Sequence, residues 1–170
     1  MVDVNHVLER TLTLIHVEEP TARIDFDADP ELPQIRTDPE LLRQVAINLA
    51  KNAIEAMDGT EDGRLAISTS ACWRRPASRT AREVSKEQVA HVRIRFSDDG
   101  HGIPPEVMER LFIPFFTTKA KGTGLGLAIC QRIVRSLGGT LEVSSRPNEG
   151  STFTIYLPVG DAQTRAASAA

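Results

Sequence analysis

Apolar residues open the chain at helical spacing: Val4, Val7, Leu8, Leu12 and Ile15 predict an amphipathic helix over residues 3–17. Ile24 and Phe26 alternate with polar neighbours and predict a short strand, closed by the turn-rich run Asp29-Pro30-Glu31-Leu32-Pro33. Thr37-Asp38-Pro39-Glu40 then offers a capping side chain, a proline suited to the first helical turn, and an acidic start. Behind it Leu41, Leu42, Val45, Leu49, Ala53 and Met57 carry one apolar face along a long helix, which Asp58-Gly59 ends.

From there the period changes to two. Leu65, Ile67 and Thr69 form one alternating set; Val92, Ile94 and Phe96 a second; Leu141 and Val143 a third; Phe153, Ile155 and Leu157 a fourth. The intervening positions are polar (Ser68, Arg93, Arg95, Glu142, Ser144, Thr152, Thr154), so each strand has one buried and one wet face. That is the habit of antiparallel sheets, whereas a doubly wound parallel sheet needs strands apolar on both faces. A further helical stripe over about 124–137 (Leu125, Ala128, Ile129, Ile133, Leu137) stops at Gly138-Gly139. The pattern predicts an α+β fold, a two-layer sandwich of a mixed, mostly antiparallel sheet with helices on one face. Residues 71–90, with Arg74, Arg75, Arg79, Arg82 and Lys86, read as an extended hairpin tip or an insert. The tail from Asp161 has nothing to bury and reads as frayed.

Composition narrows the class without naming a function. With 170 residues, 41% hydrophobic and 25% charged, the chain fits one ordinary globular domain. A net charge of −3 argues against a broad basic face for nucleic acid. Cys72 and Cys130 match no metal or redox spacing. No apolar run approaches the ~20 residues that span a bilayer, and the start lacks the marks of a signal peptide. The expected setting is cytosolic, with any membrane anchor belonging to a longer parent chain.

Three clusters carry candidate chemistry. Asn48, Asn52 and Glu55 stand at i, i+4 and i+7 on one helix face, where stacked amides can offer oxygens to a hard cation that phosphate also holds. Asparagines on helices also serve as solvent-facing or capping residues. Asp98-Asp99-Gly100-His101-Gly102-Ile103-Pro104 follows a strand directly. There a carboxylate can accept from the amine of adenine while glycines admit a flat ring; a plain tight turn is the alternative. Gly122-Thr123-Gly124-Leu125-Gly126-Leu127 opens a helix, whose free amides and dipole attract anions, with Lys119 and Lys121 just ahead. A glycine hinge would have the same sequence. Before it, Leu111–Phe116 places Phe112, Phe115 and Phe116 together, as the base of a lid or as core.

Two familiar phosphate motifs fail in detail. A dinucleotide fingerprint would use a strand at 113–118 and Glu142, but Leu127 occupies its third glycine position. No Gly-Lys-Ser/Thr closes the run, which excludes a Walker A loop.

Taken in order, these segments resemble the ATP-binding (Bergerat or GHKL) fold shared by histidine kinases, the gyrase B subunit and MutL proteins. Asp38–Met57 resembles that family's N box, Ser97–Pro104 its first glycine box, Leu111–Phe116 its phenylalanine box, and Gly122–Leu127 its second glycine box. Gly150-Ser151-Thr152-Phe153 is similar to the closing segment of kinase members, and the short lid most resembles the nitrogen-regulation type of sensor kinase. The resemblance implies Asn52 as principal Mg²⁺ ligand with Asn48 beside it, and Asp98 as reader of adenine, its loop shaped by Gly100, Gly102 and Ile103. It implies Lys119, Gly122, Thr123, Gly124, Leu125, Gly126 and Leu127 toward the phosphates and lid, and Thr152 near the nucleotide.

ATP-hydrolysing relatives place a glutamate where Asn48 stands, and an amide cannot take the proton of an attacking water. The resemblance therefore implies transfer of the ATP γ-phosphoryl group to a histidine on a separate dimerisation and phosphoacceptor domain, with a response regulator downstream. None of His6, His16, His91 and His101 sits in an acceptor hairpin. Residues 1–19 are expected to be a connector from that missing domain, 20–160 the ATP-binding domain and 161–170 a disordered tail; the isolated chain is expected to be a monomer. A gyrase- or MutL-like ATPase fragment, a serine-directed kinase of the same fold, and a non-catalytic partner-binding module are the alternatives.

Overall fold

Asp38 begins the long helix as its sequence suggests: its carboxylate accepts from the N–H groups of Glu40 and Leu41 at 2.9 and 3.1 Å, and Pro39 occupies the first turn. The structure is a computed structural model that describes residues 1–59, 62–74, 89–119 and 122–160. Four helices, α1 (Val4–Glu18), α2 (Pro39–Ala56), the short α3 (Pro105–Met108) and α4 (Gly126–Ser136), accompany five strands among those residues. The strands are β1 (Arg23–Asp27), β2 (Arg64–Arg74), β3 (Val89–Asp98), β4 (Thr140–Ser145) and β5 (Ser151–Pro158).

The sheet runs β1-β2-β3-β5-β4, with β1 parallel to β2 and every other pair antiparallel. Registers such as Ile67↔Phe96 and Phe96↔Phe153 align the apolar alternate positions on one face. There Leu65, Ile67, Ile94, Phe96, Ile155 and Leu157 are buried. α2 packs on that face and between α1 and α4, burying Leu42, Val45, Leu49 and Ala53. Each large apolar side chain so buried contributes about 1.5–3 kcal/mol. The opposite face carries Ser68, Arg93, Arg95, Thr152 and Thr154, as the alternation predicts. This is the two-layer α+β sandwich with a mixed sheet.

The core crosses the boundary expected at residues 19–20. Val4, Leu8, Leu12 and Ile15 of α1 are buried in the same cluster as α2 and the sheet. Polar ties bind α1 down as well. Asn5 donates to Asp29 O at 2.8 Å and accepts from Thr69 Oγ1 at 2.7 Å, while Val2 and Ile35 exchange two backbone bonds. The apolar stripe that marks α1 in the sequence is a core stripe.

Both strands extend into the stretch 71–90 that the sequence read as a hairpin tip or an insert. β2 runs on to Arg74 and β3 begins at Val89, paired from Ala71↔Val92 to Arg74↔Val89. Most of that region, Lys121, and the tail 161–170 lie outside the described residues. Among the described residues no helix is long and apolar enough to cross a membrane.

Candidate functional site

Asp98 is the last residue of β3 and points, with Phe96, to the helical side of the sheet, where it is only 4% exposed. Its Oδ1 accepts from the Gly100 N–H at 2.9 Å, and the Ser151 N–H also donates to the carboxylate. Burial pushes this carboxyl above its ordinary range; the two N–H donors and nearby His101 pull the other way without cancelling the effect.

The glycine turn after Asp98 sits against the end of α2. The His101 N–H donates to Ala56 O at 3.1 Å, satisfying a carbonyl that the helix leaves free. A Cβ on Gly100 would lie 2.5 Å from that same oxygen, so the close approach requires glycine. The Ile103 N–H donates to Ser145 Oγ at 2.8 Å, fastening the far end of the turn to β4.

Two adjoining cavities open here. One, of about 290 Å³, is mostly apolar and is lined by Asp98, Ala53, Ala56, Ile103, Val107, Leu111, Ser151 and Phe153, with His101 and Gly102 at the turn. The other, of about 330 Å³, is lined by Glu55, Phe116, Thr117, Gly122, Thr123, Gly124 and Gly126. Asn52, Lys119, Thr118, Leu127, Val107 and Leu111 line both. A mostly apolar slot with one buried carboxylate therefore continues into a more polar chamber rimmed by glycines.

The chamber's floor is the start of α4. No side chain caps it, which leaves its first N–H groups available to an anion. A Cβ on Gly126 would stand 4.0 Å from Asn52 Nδ2, so the helix start and the amide face one another closely. Residues 113–118 form no strand. Phe115 has φ 67° and its N–H donates to Gly124 O at 3.0 Å, so the phenylalanine segment folds back on the glycine run. Arg110 lies 4.1 Å over the Phe116 ring beneath it.

Thr152, Asn48 and Leu125 fall elsewhere. Thr152 is on the polar face of the sheet, its hydroxyl 2.9 Å from Ser97 Oγ; its neighbours Ser151 and Phe153 line the cavity instead. Strand alternation decides this, and applying the period of two to Gly150–Phe153 would have found Ser151. Asn48 is one helical turn before Asn52 but outside both cavity linings; its side chain lies beside Cys130, a thiol that burial pushes up to about 11. Leu125 precedes α4 without lining either cavity. His101, Val107 and Ser151 line the slot although the sequence singled out none of them for it, because each acquires its place from a turn, a short helix or a neighbouring strand.

The oxygens present suit a magnesium ion brought with phosphates. Asn52 Oδ1 already accepts from a cation, the Lys119 ammonium, at 3.2 Å, and Glu55 pairs with the same ammonium. Magnesium takes only one or two protein ligands and completes its shell with water and phosphate.

Comparison with known proteins agrees with this geometry. The family described as "Histidine kinase-, DNA gyrase B-, and HSP90-like ATPase" matches residues 37–161. The sensor histidine kinase ZraS of Escherichia coli K12 is 38% identical over 160 residues, which is 93% of this chain and 30% of that protein. The sensory histidine kinase/phosphatase NtrB of E. coli O157:H7 is 34% identical over 157 residues, 92% of this chain and 43% of that protein. The nitrogen-regulation type is thus consistent with the chain without being singled out. The chain spans less than half the length of these relatives. Full-length ShkA, solved in complex with AMPPNP, superposes with a TM-score of 0.71 at 28% identity, over 95% of this chain and 31% of that one. The chain belongs to the family of histidine kinase-, DNA gyrase B- and HSP90-like ATPases.

Proposed function

We propose that this domain binds Mg-ATP across the two adjoining cavities and donates the γ-phosphoryl group to a histidine on a separate dimerisation and phosphoacceptor domain of a two-component system. One observation carries the reading: Asp98 and Asn52 line a single cavity that continues to the uncapped start of α4. Adenine would occupy the apolar slot, its exocyclic amine donating to Asp98, whose charge disfavours a ring with a carbonyl at that position. The triphosphate would run past Asn52 to the α4 amides and the glycines at 122, 124 and 126. When bound, magnesium would neutralise charge on the phosphates, held by Asn52. Lys119 would serve the phosphates from the lid side.

Positioning is the protein's main contribution to such a transfer. Asn48 provides no base for water, which favours delivery to an external nucleophile over hydrolysis. The acceptor domain, the response regulator beyond it, a cytosolic setting and a monomeric isolated domain all belong to this proposal.

Calorimetric titration with ATP, ADP and GTP, with and without Mg²⁺, tests it. ATP and ADP should bind and GTP should not. Asn52→Ala should remove the Mg²⁺-dependent gain in ATP affinity while leaving the circular dichroism spectrum unchanged. An unchanged gain takes Asn52 out of the site. Mixing with the acceptor domain and labelled ATP should give an acid-labile phosphohistidine; an acid-stable product would assign the domain to serine or threonine.

A further inference from the structure

The Lys119 ammonium touches two oxygens from successive turns of α2. It donates to Asn52 Oδ1 at 3.2 Å and forms an ion pair with Glu55. Asn52 and Glu55 are i and i+3, so their side chains project on one face. Lys119 comes from the opposite wall, in the segment that also carries Thr117 and Thr118, and its own N–H donates to Thr117 Oγ1 at 3.1 Å. The pair therefore ties the lid segment to α2 across the chamber that would receive the triphosphate.

The consequence follows from charge. Two cations cannot share one amide oxygen at contact distance without a steep repulsion in a partly enclosed site. If Asn52 takes up metal together with nucleotide, Lys119 must first give up that oxygen. The phosphates then offer the ammonium better partners than Glu55.

We propose that Lys119–Glu55 is an exchangeable latch: it closes the lid segment onto α2 in the empty domain and opens when Mg-nucleotide enters, transferring the ammonium from Glu55 to phosphate. The latch rests on the nucleotide reading for its opening step only; its closed state stands on the contacts above. The two side chains are 41% and 59% exposed, so solvent screens the pair and its strength is modest. A latch of this kind costs little affinity and still selects a closed resting lid.

Lysine footprinting of the whole chain with an acylating reagent, read by mass spectrometry, tests the closed state without reference to activity. A lysine-containing peptide added to every sample is the reference, because Lys51, the neighbouring lysine on α2, also feels the Glu55 charge. In the empty protein Glu55→Gln should raise the Lys119 modification rate about two- to fivefold relative to the added peptide, in keeping with a screened surface pair. An unchanged ratio overturns the latch. With saturating Mg-ATP the wild type and Glu55→Gln should give the same Lys119 rate, because the pair is then broken in both; a persisting difference overturns the exchange. By calorimetry, Glu55→Gln should bind Mg-ATP about two- to fivefold more tightly, since no latch has to open, and weaker binding also overturns it. Should the wild type bind no ATP, the nucleotide reading fails by itself, and the empty-state comparison still decides the latch.

Discussion

At the scale of single residues, Asp98 carries the most chemistry. A hydrogen bond to a charged group is worth about 1.5–3 kcal/mol, so Asp98→Asn should weaken ATP and ADP alike, roughly ten- to hundredfold. Loss of ATP alone, measured by calorimetry, would separate Asp98 from the base. Its pH behaviour has a definite sign. Burial raises the carboxyl in the folded chain, so the folded state binds a proton more readily than the unfolded one. Between the ordinary and the raised value the empty fold loses stability as pH rises, and above the raised value the penalty stays constant. Nucleotide affinity runs the other way, falling as pH drops into that window, because only the carboxylate is a full acceptor. ADP titrations at a series of pH values should show this fall in the wild type and a flat profile in Asp98→Asn.

At the scale of elements, α2 does two tasks: one face supplies the core and another presents Asn52 and Glu55 to the chamber. Its start depends on Asp38, which satisfies two amides. Asp38→Ala should cost about 1 kcal/mol, read as a lowered urea midpoint with an unchanged slope. Nucleotide affinity should barely change, since the cap is four turns from Asn52. The sequence disclosed this helix well, cap and apolar face together, because capping and 3.6-residue periodicity are local properties. It disclosed less about β5. There alternation puts Ser151 on the buried face with Phe153, but that Ser151 sits beside Asp98 depends on how β5 pairs with β3.

At the scale of the molecule, α1, α2, α4 and the sheet share one core. Leu8 is fully buried in it, so Leu8→Ala should destabilise the whole domain by about 2–5 kcal/mol. The measurement is the urea midpoint followed by circular dichroism and by hydrogen exchange in β3. An autonomous connector helix would leave the β3 amides at their wild-type protection; a shared core lowers α1 and β3 together.

What the sequence determined by itself was set by short-range rules. Period two against period 3.6, the cap at Asp38, the glycine turn after β3 and the glycine run before α4 gave the layers, and the order of motifs gave the family. What only the tertiary structure decided were relations between distant segments. Asn52 meets Asp98 across one cavity, Asn48 turns to Cys130 on α4, Lys119 reaches Glu55, and α1 joins the core. Periodicity fixes which face of an element a side chain occupies. Which neighbour that face meets depends on how elements far apart in the chain pack together, and no local pattern encodes it.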